Sequence, residues 1–120
     1  MPTSYRIDPE RELVVTRAWG APSSEDLEAH YANLITDPRF RPSYRQLGDL
    51  SAVTTFSVDA WRIAQVAATP VFDTGTRRAL IAPSEVGFGL SSIFAAYSER
   101  AGQDVRVFRE RDEAEAWLGE

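Results

Sequence analysis

The sequence predicts an α/β protein: a mixed, mostly parallel five-stranded sheet with four helices, in the order β-β-α-β-α-β-α-β-α. Three observations predict it. First, β-rich runs alternate with amphipathic helical runs, and such alternation gives parallel strands joined by right-handed crossovers. Second, the two earliest β-rich runs are separated only by turn chemistry, which adds an antiparallel hairpin at one edge. Third, the run "ALIA" ending at Ala82 is apolar without alternation, as suits a strand covered on both faces. A length of 120 residues fits one domain spanning 1–120.

The hairpin joins Tyr5–Ile7 to Leu13–Trp19 through "DPERE", where Asp8-Pro9 is turn chemistry because proline presets φ. Gly20 and Pro22 end the second strand. Ser23 opens the first helix with Asp26 as capping-box partner. Leu27, Tyr31, Leu34 and Ile35 form its expected apolar face, and Asp37-Pro38 stops it. The segment "YRQLGDL" makes a strand through Leu50. Ser57 is the expected N-cap of the second helix, Val58 to about Thr69, closed by Pro70, with Asp59 near the positive end of the macrodipole. "FDTGTR" turns at Gly75, and Arg78–Ala82 is the next strand. Ser84 caps the third helix, whose expected core stripe is Val86, Leu90, Ile93, Phe94 and Tyr97. Gly87 and Gly89 cost about 1 kcal/mol each relative to alanine, a cost that close backbone packing offsets. Gly102 ends that helix. Val105–Phe108 is the last strand. Asp112 is the expected cap of a final helix with Glu115 at the capping-box position and Ala114, Trp117 and Leu118 facing inward.

Composition removes several classes of chemistry. Cysteine is absent, which excludes disulfides, thiolate metal sites and cysteine nucleophiles. All 13 basic residues are arginine, so there is no lysine base, Schiff base or P-loop. The net charge of −5 and the absence of a basic cluster argue against a nucleic-acid partner. No apolar run is long enough for a membrane span, and "MPTSYRIDPE" is not a signal peptide. A cytoplasmic location is the expectation.

Few side chains suggest a site. His30 is the single histidine and reads as structural, so no metal site is expected. Ser24, Ser57 and Ser84 lack the context of a nucleophile. Asp49 and Asp59, with Glu85, fall near the C-terminal edge of the sheet, where ligands bind in open α/β folds. Paired carboxylates there serve acid–base work or hold a cation; capping and loop hydrogen bonds are the plainer explanation. The second helix has a wide apolar arc. Trp61, Ile63 and Val66, with Phe88 of the third helix, are therefore the expected interface of a homodimer.

The segments "YRIDPERELVVTRAWG", "YRQLGDLSAVTTFSVDAW", "RRALIAPSEVGFGL" and "VRVFRERDEAEAWL" together resemble the bacterial SpoIIAA-like proteins of the STAS/SEC14 group. The resemblance spans nearly the whole chain and implies that group's mixed sheet with helices. In the group's anti-sigma-factor antagonists a serine opening the second helix is phosphorylated, within a pattern like T-F-M-D-S-S-G. Here "TFSVDAW" puts Asp59 at that serine, and Trp61 replaces the glycine. The regulatory junction is then Asp49, Ser57 and Asp59, without its switch residue. The resulting expectation is a non-catalytic regulatory or protein-interaction domain with no cofactor. The alternative is a module for a small apolar ligand or lipid, as the SEC14 side of the group implies. An enzyme using paired carboxylates is the third reading.

Overall fold

The computed structural model describes residues 2–119. Five strands, β1 (Thr3–Asp8), β2 (Leu13–Gly20), β3 (Arg45–Val53), β4 (Arg77–Ile81) and β5 (Asp104–Phe108), form one sheet in chain order. Only β1 and β2 pair antiparallel; every later pair is parallel. Four helices complete the fold: α1 (Ser24–Thr36), α2 (Ala60–Ala68), α3 (Glu85–Arg100) and α4 (Arg111–Leu118). Each parallel strand is added beside the last, so crossovers of one hand place α1, α2 and α3 on the same face. The chain returns to the opposite face only with α4.

Local chemistry accounts for most boundaries. The hairpin closes on Asp8 opposite Leu13, with the Arg11 amide donating to Asp8 at 3.2 Å. Ser23 and Asp26 form a complete capping box on α1, and the Ser84 hydroxyl accepts from the Gly87 amide at 3.0 Å to cap α3. Strand alternation then sorts the core into two layers. Val14 joins Leu34, Phe40, Val71 and Phe72 on the three-helix side. Leu13, Leu47, Ala79 and Ile81 meet Ala114 and Leu118 of α4 on the other. Strand β4 is buried on both faces from Arg78 to Ile81. The C-terminal carbonyls of α4 accept hydrogen bonds from neighbouring strands, Leu118 from Arg45 and Trp117 from Arg77. Two cations therefore stand at the negative end of its macrodipole.

Several sequence expectations are corrected. Helix α2 begins at Ala60 and is capped by Asp59, not Ser57. The Asp59 carboxylate accepts from the Arg62 amide at 2.9 Å, whereas the Ser57 hydroxyl donates to the Pro22 carbonyl at 3.3 Å. Strand β3 runs three residues past Leu50, to Val53. Helix α4 has Glu110 at its N-cap without a side-chain bond, and Asp112 lies inside the first turn. On α1, Ile35 is exposed. On α3 the expected stripe turns inward only in part: Leu90, Ile93 and Phe94 are half-buried and Val86 and Tyr97 are exposed, while Gly87, Ser91 and Ser98 are buried. Small residues face inward because a neighbour comes close. A Cβ on Gly87 would sit 2.6 Å from the Phe56 ring; one on Gly89 would meet nothing within 4 Å, so only Gly87 is needed for packing. Among the described residues, no helix is long and apolar enough to cross a membrane.

Candidate functional site

The junction residues do not assemble into one site. Asp49 shares the α4 face of the sheet with Leu47, by strand alternation. Its carboxylate accepts from the Ser51 amide at 2.9 Å and lies 3.5 Å from Arg111. Burial pushes its pKa up, but the Ser51 hydrogen bonds and the charges of Arg111 and Arg17 outweigh that and leave it below the usual value. Asp59 caps α2 on the other side of the sheet. Glu85 is exposed in the first turn of α3. The two aspartates thus serve separate structural bonds, and no cluster of three or more His, Asp or Glu able to hold a metal occurs among the described residues.

The structure instead contains a cavity of about 130 Å³ between the sheet and α1–α3. Thr16, Gln46, Gly48 and Leu80 contribute to its floor. Helices α2 and α3 wall it with Ile63, Val66, Leu90 and Phe94, and Phe56 closes one side from the loop before α2. Gly48 keeps the floor low: a Cβ there would lie 2.7 Å from Leu80 Cδ2. Protein interiors are otherwise packed as densely as organic crystals. An apolar cavity near this size admits molecules such as benzene.

This cavity also explains the wide apolar arc of α2. Ile63 is buried and Val66 lines the cavity, so both side chains face inward rather than out to a partner. Trp61 is 67 % exposed. Phe88 is half-buried with the Arg109 guanidinium 4.2 Å from its ring centroid.

A buried hydrogen-bonded network adjoins one end of the cavity, behind its lining residues Tyr31, Gln46 and Phe94. Arg78, 4 % exposed, stands on β4 opposite Gln46 of β3. Its Nε donates to Gln46 Oε1 at 3.0 Å, one terminal nitrogen to the Tyr31 hydroxyl at 3.0 Å, and the other to Gln103 Oε1 at 3.4 Å. Phe72 lies under the guanidinium, 4.4 Å from its ring centroid. Arginine only donates, so the Gln46 amide oxygen must face it. The Gln46 nitrogen then donates to Thr16 Oγ1 at 3.0 Å. The Thr16 hydroxyl in turn shares a hydrogen bond with His30 Nε2, 3.2 Å away. Burial lowers the His30 pKa to about 4, so the ring is neutral at pH 7. Burial also lowers the Arg78 pKa, without discharging a group of this basicity.

Tyr31, Gln46, Gly48 and Arg78 were not legible as a group. The available signal was a glutamine and an arginine at inward positions of two strands covered on both faces. Such residues are seldom fully buried unless they have partners.

No protein-family model matches the sequence, and no curated protein matches it. Among solved structures, the chain is similar to an uncharacterised protein of the DUF3478 family with a SpoIIAA-like fold from Shewanella loihica PV-4. The match has a TM-score of 0.65 over 97% of this chain and 93% of that chain, at 18% identity. The fold is SpoIIAA-like, as the sequence resemblance implied.

Proposed function

We propose that this protein is a non-catalytic binding module that holds a small apolar molecule between its sheet and helices α1–α3. The observation that supports the reading is the cavity of about 130 Å³ with Ile63, Val66, Leu90 and Phe94 in its walls. Burying an apolar ligand there gains the transfer free energy of its surface, about 25 cal/mol per Å², without first creating the space. The test is methyl NMR of the protein titrated with toluene. Resonances of Ile63, Val66 and Leu90 are expected to shift together and saturably. Ser91→Leu, which places a larger side chain at a buried lining position, is expected to abolish the shifts while the fold persists. Absence of shifts at toluene saturation, or shifts unchanged in a folded Ser91→Leu protein, would refute the reading.

Exposed Trp61 supports a second reading, a regulatory interaction domain that forms a homodimer or meets a protein partner through the start of α2. Light scattering of the wild type and of Trp61→Ala decides the dimer: a wild type that stays monomeric up to millimolar concentration removes it.

A further inference from the structure

Arg78 is a buried cation without a buried anion. The chain carries 18 acidic residues, yet Arg78 forms no ion pair among the described residues. The ion pairs there are made by other arginines, all more exposed. Its hydrogen-bond partners are two amides and a phenol. A guanidinium has five N–H donors, and three bonds from it are formed within the protein. Removing a charge from water is costly unless an opposite charge compensates it.

The position of this charge relative to the cavity gives it a use. Tyr31, Gln46 and Phe94 each line the cavity. Each also touches Arg78: two through hydrogen bonds, and Phe94 with its ring centroid 5.5 Å from the guanidinium carbon. In register, Gln46 pairs with Arg78 and Gly48 with Leu80, so the guanidinium sits one inward position along the strands from the cavity floor. No carboxylate lines the cavity to compete for it.

We propose that the cavity binds a small carboxylate with an apolar body, its carboxylate held at the Tyr31–Gln46 end by Arg78 and the Tyr31 hydroxyl. This rests on the binding-module reading and adds the charge of the ligand. The apolar body, about the size of a benzene ring, occupies the space between Ile63, Val66 and Leu90. The carboxylate accepts from donors that neutral protein groups leave unused. An ammonium in the same place meets the Arg78 charge at close range.

The test compares benzoate, benzyl alcohol and benzylamine, three probes with one ring and different charge, by NMR titration at pH 7 and fixed ionic strength. Benzoate is expected to bind about tenfold or more tightly than benzyl alcohol, the scale of one charge-assisted hydrogen bond. Benzylamine is expected to bind more weakly than either. Arg78→Met, which removes the charge and keeps an apolar stem, is expected to cancel the preference for benzoate. Should that variant not fold, the wild-type series decides alone. Benzyl alcohol binding as tightly as benzoate overturns the carboxylate proposal and leaves the binding module standing. A preference that survives in folded Arg78→Met overturns the role of Arg78. If none of the three probes shifts a cavity resonance, the proposal and the binding module both fall.

Discussion

Protonation of His30 is expected to make stability fall between pH 7 and pH 5. The ring is 4 % exposed, and its Nε2 lies 3.2 Å from the Thr16 hydroxyl. Tyr5 and Tyr31 stand edge-on, with centroids 5.6 and 5.2 Å away. Protonation would leave a charge in a setting removed from water. Burial therefore lowers the pKa from 6.5 to about 4. Between these values the unfolded chain binds a proton that the folded chain refuses. The stabilisation is complete above the unfolded pKa and is lost as pH falls toward the folded one. Integration gives a loss of roughly 2 kcal/mol between pH 7 and pH 5, and roughly 3 kcal/mol by pH 4. Asp26, Asp37 and Asp49 have lowered pKa values. Their contributions are present above the ordinary carboxylate range and lost below it, so they leave the window from pH 7 to 5 to His30. Urea denaturation followed by tryptophan fluorescence at pH 7, 6 and 5 measures the loss. In His30→Gln it is expected to shrink to under about 0.5 kcal/mol. A wild type equally stable at pH 7 and 5, or a His30 ring that titrates between pH 6 and 7 by NMR, would refute the reasoning.

Five further substitutions probe the corrected packing. Asp59→Ala is expected to cost about 1 kcal/mol by removing the α2 cap, and Ser57→Ala to stay within about 0.5 kcal/mol; equal effects in urea denaturation would return the cap to Ser57. Gly89→Ala is expected to stabilise α3 by up to about 1 kcal/mol, since its Cβ meets nothing within 4 Å. Gly87→Ala is expected to cost about 1–3 kcal/mol, because its Cβ falls 2.6 Å from Phe56 Cζ, and a gain at that position would show that Phe56 moves freely. Ser98 is fully buried and its hydroxyl has no hydrogen-bond partner among the described residues; Ser98→Ala is expected to raise stability by about 1 kcal/mol, and a lower Tm would reveal a partner.

The sequence alone determined the order of elements, the antiparallel first hairpin, the Ser23–Asp26 capping box and the Ser84 cap. It also determined that the "ALIA" strand is covered twice. Those signals lie within a few neighbouring residues: turn chemistry, capping spacing and apolar periodicity act locally. Tertiary structure decided which face of an element turned inward. On α3, size at the contact outweighed hydrophobicity, and Gly87 and Ser91 displaced Val86 and Tyr97 from the interior. On α2, the apolar arc that sequence reasoning gave to a partner holds Ile63 and Val66 over a cavity. The network beside the cavity was further from reach, because Arg78 meets Gln46 and Tyr31 across 32 and 47 residues of sequence. A cavity is the volume that separate elements leave between them, and its charge is set by groups brought together only when those elements pack. Neither quantity belongs to any one stretch of chain, which is why the fold was legible in the sequence and the candidate site was not.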